Sequence, residues 1–180
     1  VAWTNPFTAV AGDPFTASQW NQYGRDNLEY LKAASDGVAV SGFSIRRAAN
    51  QSINDSSDTL VSFDTELQDF GGWWSSGTTA TTPAGAIPSG STTIGVIYIA
   101  QIKFASNATG KREIAVLKEG SEVNVWKQPA LDDDVTVINL SDFTTCISAD
   151  DWTLQVWQNS TGALNLTEAR FSVIRIGPAD

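Results

Sequence analysis

The sequence contains no histidine and no methionine, and Cys146 is its single cysteine. Without imidazole there is no Ser-His-Asp or Cys-His nucleophile pair and no His-ligated zinc. One thiol closes no intrachain disulfide and builds no multi-cysteine metal cluster. Cys146 lies in the apolar-leaning stretch Phe143-Thr-Thr-Cys-Ile147 and reads as a buried small hydrophobe rather than a reactive thiol. Bases are scarce too: 11 Lys and Arg stand against 20 Asp and Glu, a net charge of -9. The compact basic pairs, Arg46-Arg47 and Lys111-Arg112, make no groove for a polyanion, so a nucleic-acid partner is not expected. The longest apolar run, Val96 to Ala100, falls far short of the ~18 residues of a membrane span, and no membrane partner is expected. No Gly-rich loop follows a strand and opens a helix, so a nucleotide cofactor is not expected, nor is any other.

The chain opens on Val1-Ala-Trp3, with neither a basic n-region nor an apolar h-region, and a small first residue is what methionine excision leaves behind. The expectation is a protein made in the cytoplasm without a signal peptide. The Asn-x-Ser/Thr triplets at Asn50, Asn54, Asn107, Asn139, Asn159 and Asn165 then stay unmodified.

An apolar fraction of 42% in 180 residues supports one core of ordinary size, hence one main domain with an appendage. Residues 1–15 interleave Pro6, Gly12, Asp13 and Pro14 with Trp3, Phe7, Val10 and Phe15, and read as an extended aromatic arm that docks on something. Thr16-Ala-Ser-Gln19 fits a capping box, and a helix is predicted over 16–36, with Trp20, Tyr23, Asn27, Leu28 and Leu31 at helical spacing and Ser35-Asp36-Gly37 as its stop. A helix of this length is marginal alone in water, so its stripe needs a surface. That surface is either its own domain or a larger assembly, and the clustering of arm and helix at one end favours the assembly. Trp3, Phe7, Phe15, Trp20, Tyr23 and Leu31 are the candidate anchoring residues. Residues 37–50, with Gly37, Ser41, Gly42 and Ser44, read as a linker or a short extended connection.

From Gln51 the periodicity changes to two, and residues 51–180 form the main domain. Strands are predicted at 59–63, 95–104, 112–118, 122–127, 135–140, 143–147, 152–158 and 169–176. Trp152, Leu154 and Val156 point one way, while Thr153, Gln155 and Trp157 point the other. Short strands joined by Asn, Gly and Ser turns, with no helices between them, describe an antiparallel sandwich or barrel, and a jelly roll fits the strand count. The stretch Gly95 to Ala100 is apolar on both faces, so it is either central in a thick sandwich or at a subunit interface.

Residues 71–93 are low in complexity and too long for a hairpin loop, which marks a functional, interface or mobile excursion. Trp73 and Trp74 at its root either stack on a sugar ring or plug the end of the sandwich. Asp132-Asp133-Asp134 is either one side of a calcium site or a solvated turn. Consecutive side chains alternate, so at most two of the three face one ion, which favours the turn. Asp150-Asp151 is the other acidic cluster. No motif singles out a catalytic carboxylate pair, and no enzymatic activity is expected.

Two stretches carry a resemblance. The segment from Ala11 to Leu31, with Gly12-Asp13-Pro14, Trp20-Asn21 and Arg25-Asp26-Asn27, resembles the N-terminal segment common in structural proteins of tailed bacteriophages. The second is carried by Val61 to Asp64, Asp69 to Trp73, Tyr98 to Ala105, Asn107 to Glu113 and Phe171 to Ile176, and is similar to the C1q/TNF-like jelly-roll domains of such virions. The resemblance implies a mainly β protein, an antiparallel jelly-roll sandwich preceded by the arm and one short helix. It implies a homotrimer packed about a threefold axis, on the exterior of a virion as head decoration or fibre knob, with capsid or tail proteins as partners. Val96, Tyr98 and Ala100 would then line the trimer interface. A host-surface glycan bound through Trp73, Trp74 and Asp132 is the alternative function.

Overall fold

The computed structural model describes residues 41–87, 91–131 and 134–178. Among the described residues the strands are β1 (Gly42–Arg47), β2 (Gln51–Ile53), β3 (Thr59–Leu60), β4 (Thr65–Phe70), β5 (Thr79–Thr81), β6 (Ile94–Phe104), β7 (Lys111–Lys118), β8 (Ser121–Pro129), β9 (Thr136–Cys146), β10 (Asp151–Gln158) and β11 (Leu164–Pro178), with a 3-10 turn at Ala84–Ala86. One sheet has six strands in the order β4-β1-β11-β6-β9, with β2 also on β11. The other has five in the order β3-β10-β7-β8, with β5 also on β10. Every pairing is antiparallel. The chain crosses repeatedly from sheet to sheet, as the expected jelly-roll sandwich requires.

Period-two patterning places the core between the sheets. On β6, Ile94, Val96, Tyr98, Ala100, Ile102 and Phe104 are all buried, and on β10 so are Trp152, Leu154 and Val156. Phe43 lies edge-on to Phe171 of the neighbouring strand at 5.3 Å, and across the gap between the sheets Tyr98 sits 6.2 Å from Trp152. Burial pushes the Tyr98 phenol above its ordinary pKa. On the far side of β10, Trp157 packs under Lys127, whose Nζ is 4.2 Å from the ring centroid and 2.5 Å from a Glu113 oxygen.

Three expectations are corrected. Residues 42–47 are no linker: they form β1, paired with β11 on one side and β4 on the other. The strands expected at 135–140 and 143–147 are one strand, β9, paired with β6 from Thr136 to Cys146. Ser141-Asp142 reads as a turn in isolation, but here Asp142 stays in the ladder and accepts a hydrogen bond from Asn124 of β8 at 3.2 Å. Residues 71–87 are laid against the sandwich, through Trp73, β5 and the 3-10 turn, rather than standing off it. The anchoring residues Trp3, Phe7, Phe15, Trp20, Tyr23 and Leu31, with the arm and helix that carry them, lie outside the described residues.

Candidate functional site

The outer face of the six-stranded sheet is the feature with functional consequence. Register sets its side chains in cross-strand rows. Gly42 is opposite both Phe70 and Ile174, Ile174 is opposite Ile97, and Ile97 is opposite Phe143, so one apolar row crosses five strands. Ile99 continues it one row along, and Ile176 closes it on the other side. Phe143 and Ile176 fold over Gly95, where an added Cβ would stand 3.1 Å from Phe143 Cε2 and 3.6 Å from Ile176 Cγ1. These large side chains are between 37% and 55% exposed, the opposite of what burial would give residues of this type. Between Phe70 and Ile174 the bare Gly42 leaves a cleft of about 170 Å³.

The next rows change character. Ser44 and Ser172 share a hydrogen bond at 2.8 Å beside Ile99, and in the third row Gln101 donates to Asn139 at 2.7 Å while Arg46 stands opposite Arg170. A third exposed aromatic, Trp126, lies on β8, the edge strand of the other sheet, in register with the inward-facing Ile114. It therefore projects from the open side of the sandwich, not from its face.

The residues singled out from sequence fall elsewhere. Val96, Tyr98 and Ala100 are within the core, at 1% exposure or less, so they meet no second subunit; the exposed phase of β6 is Ile97 and Ile99. Trp73 is buried, with its Nε1 donating to Ser41 Oγ at 2.9 Å, and closes one end of the core. It presents no ring to a sugar. Trp74 packs half-buried against the same core with its indole N–H enclosed, and Asp132 lies outside the described residues. The two tryptophans form no open platform for a glycan.

The acids and the thiol are committed to the fold. Asp150 Oδ2 accepts from the Ile147 N–H at 2.9 Å and lies 3.4 Å from Lys118 Nζ, and Asp151 accepts from Thr81 at 2.6 Å. Among the described residues no three His, Cys, Asp or Glu side chains are grouped to hold a metal ion. Cys146 is buried as expected, and burial raises its thiol pKa to about 11.

No protein-family model matches the sequence, and no curated protein does. Solved structures match the fold. The globular domain of zebrafish complement 1qA protein overlays with a TM-score of 0.55 at 11% identity, covering 77% of this chain and 98% of that one. Murine APRIL at pH 8.0 overlays with a TM-score of 0.56 at 14% identity, covering 76% and 99%. The PRD1 vertex protein P5, at 19% identity and a TM-score of 0.49 over 78% and 99%, overlays too loosely to carry weight. At such identities the likeness concerns the backbone alone: the described chain has the antiparallel jelly-roll fold of C1q and TNF-type domains.

Proposed function

We propose that the chain is a structural, non-enzymatic subunit on the exterior of a tailed-phage particle. Its sandwich is a knob within a homotrimer, and its N-terminal segment is the tether to head or tail proteins. The phage assignment is supported by the likeness of residues 11–31 to phage structural proteins. The observation that carries the assembly is the apolar row Phe70, Ile174, Ile97 and Phe143. A contiguous exposed patch of large hydrophobics, bounded by polar rows, marks a contact surface. A second copy of the chain is the occupant that fits. The face offers a cleft at Gly42, while Trp126 projects from the opposite edge, so the two features complement each other and neither complements itself. Contacts between unlike patches are heterologous, and they close as a ring when the rotation permits.

The test is the mass of the full chain in solution at micromolar concentration. Three subunit masses are expected. A single subunit mass at that concentration would remove the trimer, and an intact trimer absent from purified particles would remove the virion role.

A further inference from the structure

In the third row of the same face two cations oppose each other: Arg46 of β1 is in register with Arg170 of β11. Like charges directly opposite on neighbouring strands repel. Glu168 relieves one of them, accepting from Arg170 Nε at 2.9 Å. Arg46 has no such relief, for its Nε is buried and has no acceptor. The adjacent Arg47 shows what satisfaction looks like here. Its Nε, Nη1 and Nη2 donate to the carbonyls of Ala49, Ser62 and Asn50, and Asp64 lies 3.7 Å from Nε. A guanidinium N–H withdrawn from water without an acceptor is costly, which makes Arg46 the unfinished member of the group.

The space beside it suits an acceptor. Arg46, Ala48, Thr167, Glu168 and Arg170 line a solvent-open hollow of about 390 Å³. The Thr167 hydroxyl proton is spent on the Lys103 carbonyl, at 3.0 Å, so the side-chain donors left among the lining residues are those of the two guanidinium groups. Planar guanidinium forks match the paired oxygens of oxyanions in distance and direction.

We propose that Arg46 and Arg170 form a binding site for a small oxyanion of the phosphate or sulfate class, seated in this hollow. Two arginines and one glutamate leave a local charge of one positive unit, enough for a small anion. A polyanion is excluded by the strongly acidic remainder of the chain. The site is independent of the virion assignment and of the trimer.

The experiment is thermal melting and calorimetry of the full chain, in sodium phosphate or sulfate against sodium chloride at matched ionic strength. A saturable rise in Tm is expected, about 3 °C at tenfold the dissociation constant. It should vanish in Arg46→Gln and in Arg170→Gln and persist in Lys111→Gln, which removes an exposed base elsewhere. Either arginine variant suffices if the other fails to fold. No response in the wild type overturns the site, as does an undiminished response in the arginine variants. A wild type that ignores both anions while Arg46→Gln weakens subunit association would overturn it in favour of a carboxylate from a neighbouring copy. A monomer that still responds to phosphate would end the trimer and leave the site standing.

Discussion

The Asp69 carboxylate holds Trp73 in place by its backbone: Oδ1 accepts from the N–H of Gly72 at 3.1 Å and of Trp73 at 2.9 Å, while Oδ2 accepts from Trp74 at 3.0 Å. One side chain at the end of β4 thereby satisfies three successive donors and aims the Trp73 indole into the core, 6.0 Å from Phe43. Charge-assisted hydrogen bonds of this kind are among the stronger ones, and their loss leaves backbone donors unpaired in part-buried surroundings. Asp69→Ala is expected to cost about 2–3 kcal/mol. An equilibrium urea titration followed by tryptophan fluorescence checks it, and an unchanged midpoint would show that the turn holds itself.

Asp64 gives the fold an acid-sensitive contact. Burial acts to raise its pKa but is outweighed by the N–H groups of Ala49 and Ala48, the Thr65 hydroxyl and the charge of Arg47, which together bring it down from 3.8 to about 2. A carboxyl held lower in the folded state than in the unfolded one stabilises above its unfolded pKa, and that contribution drains away as pH falls through the folded value. The expected loss therefore runs from near pH 4 down to pH 2. Asp64→Asn should flatten that part of the stability profile in denaturant titrations at stepped pH.

Much of the sandwich was legible because its alternation is clean. On β10 the phase carrying Trp152, Leu154 and Val156 is buried, as the pattern requires. On β6 the same logic was available but obscured by Ile97 and Ile99. The strand's polar residues, Gln101 and Lys103, fall in the phase of Ile97 and Ile99, so the outward face was marked all along. Phe70, Ile174, Ile97 and Phe143 become one row only through register between distant strands, which no local pattern encodes. The short strands β2, β3 and β5 carry too few residues to show a period at all. Strand β4 is polar on most positions because it is the sheet's edge.

Gly42 is the reason β1 reads as a connection in the sequence. Glycine in a Ser-rich stretch signals flexibility, yet its φ of +150° belongs to a conformation that other residues rarely adopt, and an added Cβ would overlap the Val173 carbonyl oxygen. The residue is there so that β1 can lie close on β11. Gly42→Ala is expected to destabilise the sandwich by at least about 2 kcal/mol. A melt within a degree of wild type would mean that this strand contact yields easily.

Cys146 should be silent in the folded protein. Its thiol is enclosed between the sheets, and burial, opposed by a Thr82 contact, takes its pKa to about 11, so almost no thiolate exists near pH 8. A thiol-specific chromogenic reagent is expected to report no reaction in native buffer and one equivalent in denaturant. Rapid native labelling would place the sulfur at the surface.

Ile97 and Tyr98 are neighbours in sequence and opposite in consequence. Ile97 stands at the centre of the outer row, while Tyr98 is 1% exposed with its ring beside Trp152. Ile97→Lys adds a charge where water already reaches, so the isolated sandwich keeps its fold and its circular dichroism. A lysine at the middle of the row must be desolvated if a second copy covers it, and the expected result is single-subunit mass in sedimentation. Tyr98→Ala empties a core position, at a cost of about 3–5 kcal/mol, and unfolds the chain before any question of association arises. An Ile97→Lys protein that still sediments as a trimer would show that the subunits meet through some other surface.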